Sequence, residues 1–104
     1  MDNVTRAVNK YKEQYDVYIG RGSKWGNPFT HLDGTTAEFK VASREEAVLA
    51  FEQWIKYGEG RRLIPDLYEL RGKRLGCFCK PKACHGDVLV KLVNELYPDS
   101  NIEI

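Results

Sequence analysis

The stretch from Leu75 to Tyr97 limits the possible folds most sharply. It opens on a short apolar run, Leu75 to Cys79, with the length and composition of a strand. It then changes period. Val88, Leu89, Leu92, Val93, Leu96 and Tyr97 recur at helical spacing, so Asp87 to Tyr97 is expected to form an amphipathic helix facing inward along these residues. Pro98 stops it. A strand that feeds a helix through a short junction places the junction side chains at one end of a sheet, beside a helix N-terminus. That arrangement belongs to α/β folds.

The junction holds most of the reactive side chains in the chain. Cys77, Cys79, Cys84, His85 and Asp87 lie between positions 77 and 87, and these include every cysteine and one of the two histidines. Three readings fit. In the first, Cys77 and Cys79 share a strand face and join Cys84 and His85 around a structural zinc, although one residue between paired cysteines is fewer than most zinc knuckles use. In the second, Cys84 begins a helix whose dipole favours the thiolate, Lys80 and Lys82 act in the same sense, and His85 serves as acid or base. Asp87 then orients His85, caps the helix or acts on a substrate. In the third, Cys77 and Cys79 are small core residues, and His85 and Asp87 cap the helix. We adopt the second reading, with Cys84, His85 and Asp87 at a reacting end and no metal.

The rest of the chain fits the same class. Thr5 to Tyr15 carries both a helical and an alternating pattern and is read as an edge strand. Asp16 to Gly20 reads as a strand of β-branched and aromatic residues. Arg21 to Gly34 is expected to be a long loop. Ser43 with Glu46 forms a capping box ahead of a helix whose apolar face is Ala47, Val48, Phe51, Trp54 and Ile55, with Gly58 at its end. A shorter helix, Pro65 to Arg71, is expected to end at Gly72.

The loop carries the second motif, Tyr18 to Phe29, with Gly20, Gly22 and Gly26 among Arg21, Ser23, Lys24, Trp25 and Asn27. Amides freed by glycine approach phosphate closely, Arg21 and Lys24 neutralise it, Trp25 stacks on a ring and Asn27 reads an edge. These are parts of a nucleotide-like site, but the glycine spacing matches neither the P-loop nor the dinucleotide fingerprint. The plain alternative is a packed loop with Trp25 and Phe29 in the core. His31, Asp33 and Glu38 are weaker candidates, Trp54 reads as core and Arg61-Arg62 as surface.

Bulk properties narrow the function. The 104 residues are read as one domain, 1–104, with net charge +1, which argues against nucleic-acid binding through overall charge. Charge is unevenly spread, since positions 60–91 hold eight Lys or Arg against three acidic residues. An odd cysteine count and a polar start imply a reducing cytoplasm. No apolar run approaches the ~20 residues of a membrane span, so no membrane partner is expected.

The two motifs together resemble a family of bacterial and phage proteins, domain of unknown function 4326. The resemblance rests on Tyr18 to Arg21 with Lys24 to Phe29, and on Cys77, Cys79, Pro81, Cys84, His85 and Asp87. It spans nearly the whole chain. Phe78 stands where the family pattern has tryptophan. The resemblance implies a strand at the N-terminus and a phage or bacterial origin, and it implies no activity or cofactor. The expected fold is a Rossmann-like α/β sandwich, about three strands with about three helices. Both motifs would meet at one end of the sheet and hold a nucleotide- or nucleoside-like anion through Arg21, Ser23, Lys24, Trp25 and Asn27. The alternatives are a structural zinc module or a phage effector, binding nucleic acid or a host protein.

Overall fold

The structure, a computed structural model, describes residues 5–30, 39–78, 80, 82 and 84–97. Strands β1 (Arg6–Asn9), β2 (Val17–Tyr18) and β5 (Arg74–Cys77) form a parallel sheet in the order β1-β5-β2. Strands β3 (Phe29–Thr30) and β4 (Phe39–Lys40) form a separate parallel pair. Helix α1 spans Arg44–Tyr57 and helix α2 spans His85–Leu96. Between α1 and β5 runs a 3₁₀ segment, Glu59–Leu70.

Register follows from the parallel pairing. Val8 and Tyr18 both lie opposite Gly76, and Asn9 lies opposite Cys77. Alternation then puts Leu75, Cys77 and Ile19 on one face, where they join the core. Phe51, Ile55, Leu67, Leu89 and Val93 close that core from the helices, all essentially inaccessible. The expected α1 face therefore packs in the same cluster as the α2 face. Trp54 is half-buried against it, while Leu96 is exposed. Leu96 was expected to face inward. It is the last residue of α2 and stays 48% exposed.

The opposite sheet face is covered differently. Strands β1 and β2 flank β5 and run the same way, so the connection Lys10 to Asp16 must cross β5. Tyr15 lies on that crossing, and a Cβ added to Gly76 would stand 2.6 Å from its Cγ. Only glycine leaves room for the ring. Asp16 then locks the end of the crossing. Its carboxylate accepts from the Arg74 guanidinium twice at 3.1 Å and from the Arg74 backbone at 2.8 Å. The Arg74 bonds hold the Asp16 pKa down at about 2.

Helix α1 starts as expected, with Ser43 Oγ accepting from the Glu46 amide at 3.1 Å. The Glu46 carboxylate accepts from the Ala42 amide, one residue before the cap. Two expectations shift. The 3₁₀ segment begins six residues ahead of Pro65, because Gly60, Leu63, Leu67 and Leu70 supply buried contacts that helix propensity does not reveal. The expected long loop is interrupted by β3, whose partner β4 is distant in sequence.

Candidate functional site

The three parallel strands end on one edge, and both motifs leave from it. After β2 the chain makes a tight turn in which the Ser23 amide donates to the Gly20 carbonyl at 3.1 Å. Gly22 sits at φ +94°, which a side chain would resist, as a type II turn requires. After β5 the chain reaches Cys84, the cap of α2. The Cys84 sulfur accepts from the Gly86 amide at 3.2 Å. The Cys84 amide donates to Asp87 Oδ2 at 3.2 Å. The Gly86 amide is thus engaged by the cap side chain, and the Asp87 amide by the Cys84 carbonyl. They face their own cap.

His85 joins the two motifs. Its Nε2 lies 2.7 Å from the Ile19 carbonyl oxygen. A carbonyl only accepts, so Nε2 carries the proton and Nδ1 holds the lone pair. Nδ1 lies 3.8 Å from the Cys84 sulfur. The ring is buried and edge-on to Phe51, with centroids 5.0 Å apart. Burial pushes its pKa down to about 4, and Arg21 adds to this. The Ile19 and Trp25 backbones and Asp87 oppose the shift without reversing it. His85 is thus neutral at pH 7 and pins the loop to the helix across more than sixty residues of sequence.

The loop residues are largely engaged within the protein. Ser23 Oγ donates to the Gly20 carbonyl at 2.7 Å. Arg21 donates to the Asn27 carbonyl at 2.6 Å. Asn27 donates to the Ala47 carbonyl and accepts from the Phe29 amide, tying the loop to α1. Trp25 lies in the core, with 3% of its surface exposed. Lys24 turns toward the 3₁₀ segment and pairs with Asp66 at 3.3 Å and Glu69 at 2.9 Å. The structure therefore brings Arg21 and Trp25 to His85, and sets Lys24 on a carboxylate pair.

Asp87 lies at the surface. Its Oδ1 pairs with Lys80 at 2.9 Å, which raises the Lys80 pKa. Cys77 and Cys84 are buried. Cys79, His31, Asp33 and Glu38 lie outside the described residues. Among the described residues no three of His, Cys, Asp or Glu gather as a metal site requires. Among them, too, no helix is long and apolar enough to cross a membrane.

Lys10 and Tyr11, which lie outside both motifs, meet Tyr18 and Phe78 at the same edge. The Lys10 ammonium lies 4.9 Å from the Tyr18 and Phe78 ring centroids and 5.5 Å from that of Tyr11. Asn9 organises them, accepting from the Tyr11 amide at 2.8 Å and donating to the Lys80 carbonyl at 2.7 Å. One signal for Phe78 was available: in a strand whose Cys77 points inward, the next residue points away.

Residues 3–95 match the model of a family described as Domain of unknown function (DUF4326), and the chain belongs to that family. It is 46% identical over 94 residues to the uncharacterized 12.4 kDa protein in nrdA-td intergenic region of Enterobacteria phage T4, a match covering 90% of this chain and 82% of that protein. It is 32% identical over 107 residues to the uncharacterized protein R718 of Acanthamoeba polyphaga mimivirus, covering 86% of this chain and 75% of the relative. No solved structure matches the chain.

Proposed function

We propose that this family member is a one-domain cytoplasmic protein that binds an anionic, nucleotide-like ligand at the C-terminal edge of its three-stranded sheet. The observation that carries this reading is the bond from His85 Nε2 to the Ile19 carbonyl. It draws the glycine-rich turn after β2 and the start of α2 to the edge on which three parallel strands end. Ligands of open α/β sheets bind outside such strand ends. Lys10 and Arg21 supply positive charge at this edge, where Lys80 is paired with Asp87.

Within this reading the named residues divide by depth. Arg21 stands at the rim of the turn, and Asp87 with Lys80 is the exposed acid–base pair at the reacting end. Cys84 and His85 lie beneath them. Cys84 holds the helix start, and the neutral His85 holds the loop against it through the Ile19 carbonyl. Ser23, Asn27 and Trp25 shape the loop that a ligand would meet, and Lys24 is the most distant contributor.

A thermal-stability screen tests the reading. The probes are nucleoside mono-, di- and triphosphates, with ribose 5-phosphate and pyrophosphate as base-free comparators. A ligand at a hundred times its dissociation constant stabilises by about 2.7 kcal/mol, and Arg21→Ala should abolish the shift while leaving the fold intact. Flat melting across the panel at millimolar concentration would remove the proposal.

A further inference from the structure

Resting on that ligand reading, we infer that Tyr11, Tyr18 and Phe78 form a stacking platform for a nucleobase, with Lys10 placed for the adjoining phosphate. Each ring comes from a different strand end. Tyr11 follows β1, Tyr18 closes β2 and Phe78 follows β5. Tyr11 and Phe78 lie 5.5 Å apart, centroid to centroid, and Phe78 meets Tyr18 edge-on at 6.0 Å.

Tyr11 and Phe78 are held but not covered, whereas Tyr18 is half-buried behind them. Tyr11 is 75% exposed and Phe78 47%, so two adjacent aromatic side chains stand in water. Apolar surface left together in this way marks a contact site more often than scattered residues do. The support beneath is rigid. Tyr18 donates its hydroxyl to the Arg21 carbonyl at 3.1 Å, and Asn9 fixes the backbone of Tyr11. Lys10 and Tyr11 also line a shallow depression of about 560 Å³ along the crossing to Arg74, which Tyr18 and Phe78 do not line.

The charge pattern selects the occupant. Among the described residues Lys10 makes no ion pair, and its ammonium is set among three rings. The Lys80 carbonyl is bonded to Asn9, which places a second lysine by the end of β1. The exposed rings of Tyr11 and Phe78 are tilted 50° to one another with the Lys10 ammonium beside both, so either face can take a planar base while the lysine meets its phosphate. That chemistry is shared by a free nucleotide and by one unit of a single strand.

The test uses the full chain with adenosine and thymidine monophosphates, ribose 5-phosphate, and adenylate and thymidylate octamers. Affinity is followed by calorimetry and fluorescence anisotropy. Tyr11→Ala and Phe78→Ala should each weaken nucleotide binding by about 5- to 150-fold, the range for loss of one base stack. Binding of ribose 5-phosphate should be unchanged, and Tyr11→Trp should retain nucleotide affinity. An octamer that binds more tightly than a mononucleotide, with a salt slope that falls by about 0.7 in Lys10→Gln, identifies the single strand. Equal affinities identify the free nucleotide. Nucleotide binding that survives both alanine substitutions overturns the platform and leaves the ligand reading standing. Absence of binding by every probe removes both. A dimer that dissociates in Tyr11→Ala and Phe78→Ala, without nucleotide effects, makes the rings a self-association surface and also overturns the inference.

Discussion

Lowering the pH from 7 to 5 should destabilise this protein by about 2 kcal/mol through His85 alone. The sign follows from burial. In the folded chain the His85 pKa is depressed to about 4, whereas an unfolded histidine titrates near 6.5. As pH falls below 6.5 the unfolded chain gains a proton that the folded chain refuses, so the equilibrium moves toward unfolding. The loss continues down to the folded pKa and stops below it. Carboxylates interfere little in the chosen window. Asp16, held down by Arg74, and Glu52, held down by Lys56, contribute stability that is lost only at lower pH, where unfolded carboxylates begin to protonate. Urea denaturation at pH 7, 6 and 5 measures the effect. With a typical slope of about 1–3 kcal/mol per molar, the midpoint should drop by roughly 1 M. His85→Gln retains a donor for the Ile19 carbonyl but cannot titrate. It should be less stable at pH 7 and nearly independent of pH from 7 to 5, which also separates His85 from His31. A midpoint that stays constant in the parent protein, or an undiminished slope in His85→Gln, would refute the argument that His85 is buried and neutral.

Two further outcomes test the packing around the site. Gly76→Ala should cost roughly 1–3 kcal/mol, since its Cβ meets the Tyr15 ring, and most of that cost should disappear in a Tyr15→Ala background. An equal cost in both backgrounds, measured by urea denaturation, would show that Tyr15 is not the obstacle. Cys84→Ala should lose about 1 kcal/mol of stability with the cap, while Cys84→Ser keeps an acceptor for the Gly86 amide and should melt near the parent temperature. A serine variant as unstable as the alanine one would mean that the cap contributes little.

Local patterns made much of this molecule legible. The helical spacing from Ala47 to Ile55 and from Val88 to Val93 identified α1 and α2, because a helix at a core boundary must repeat its apolar residues every turn. The Ser43 cap marked where α1 begins. The short apolar run from Leu75 to Cys79 placed a strand at the cysteine junction, and Asp16 to Gly20 read as a strand for its β-branched and aromatic content. Periodicity also identified the edge where both motifs emerge, since each follows a strand. Tertiary structure decided the rest. Whether Trp25 faces a ligand or the core depends on which helices close over it. Whether Lys24 meets a phosphate or Asp66 and Glu69 depends on where the 3₁₀ segment passes, and local pattern does not record that path. His85 was legible as an acid–base candidate. Its low pKa was not, because the burial that causes it comes from residues remote in sequence, such as Phe51, 34 positions away. The grouping of Lys10, Tyr11, Tyr18 and Phe78 is not legible in the sequence. Its members are separated along the chain and become neighbours only because β5 inserts between β1 and β2, which brings three strand ends, and the side chains just beyond them, to one edge.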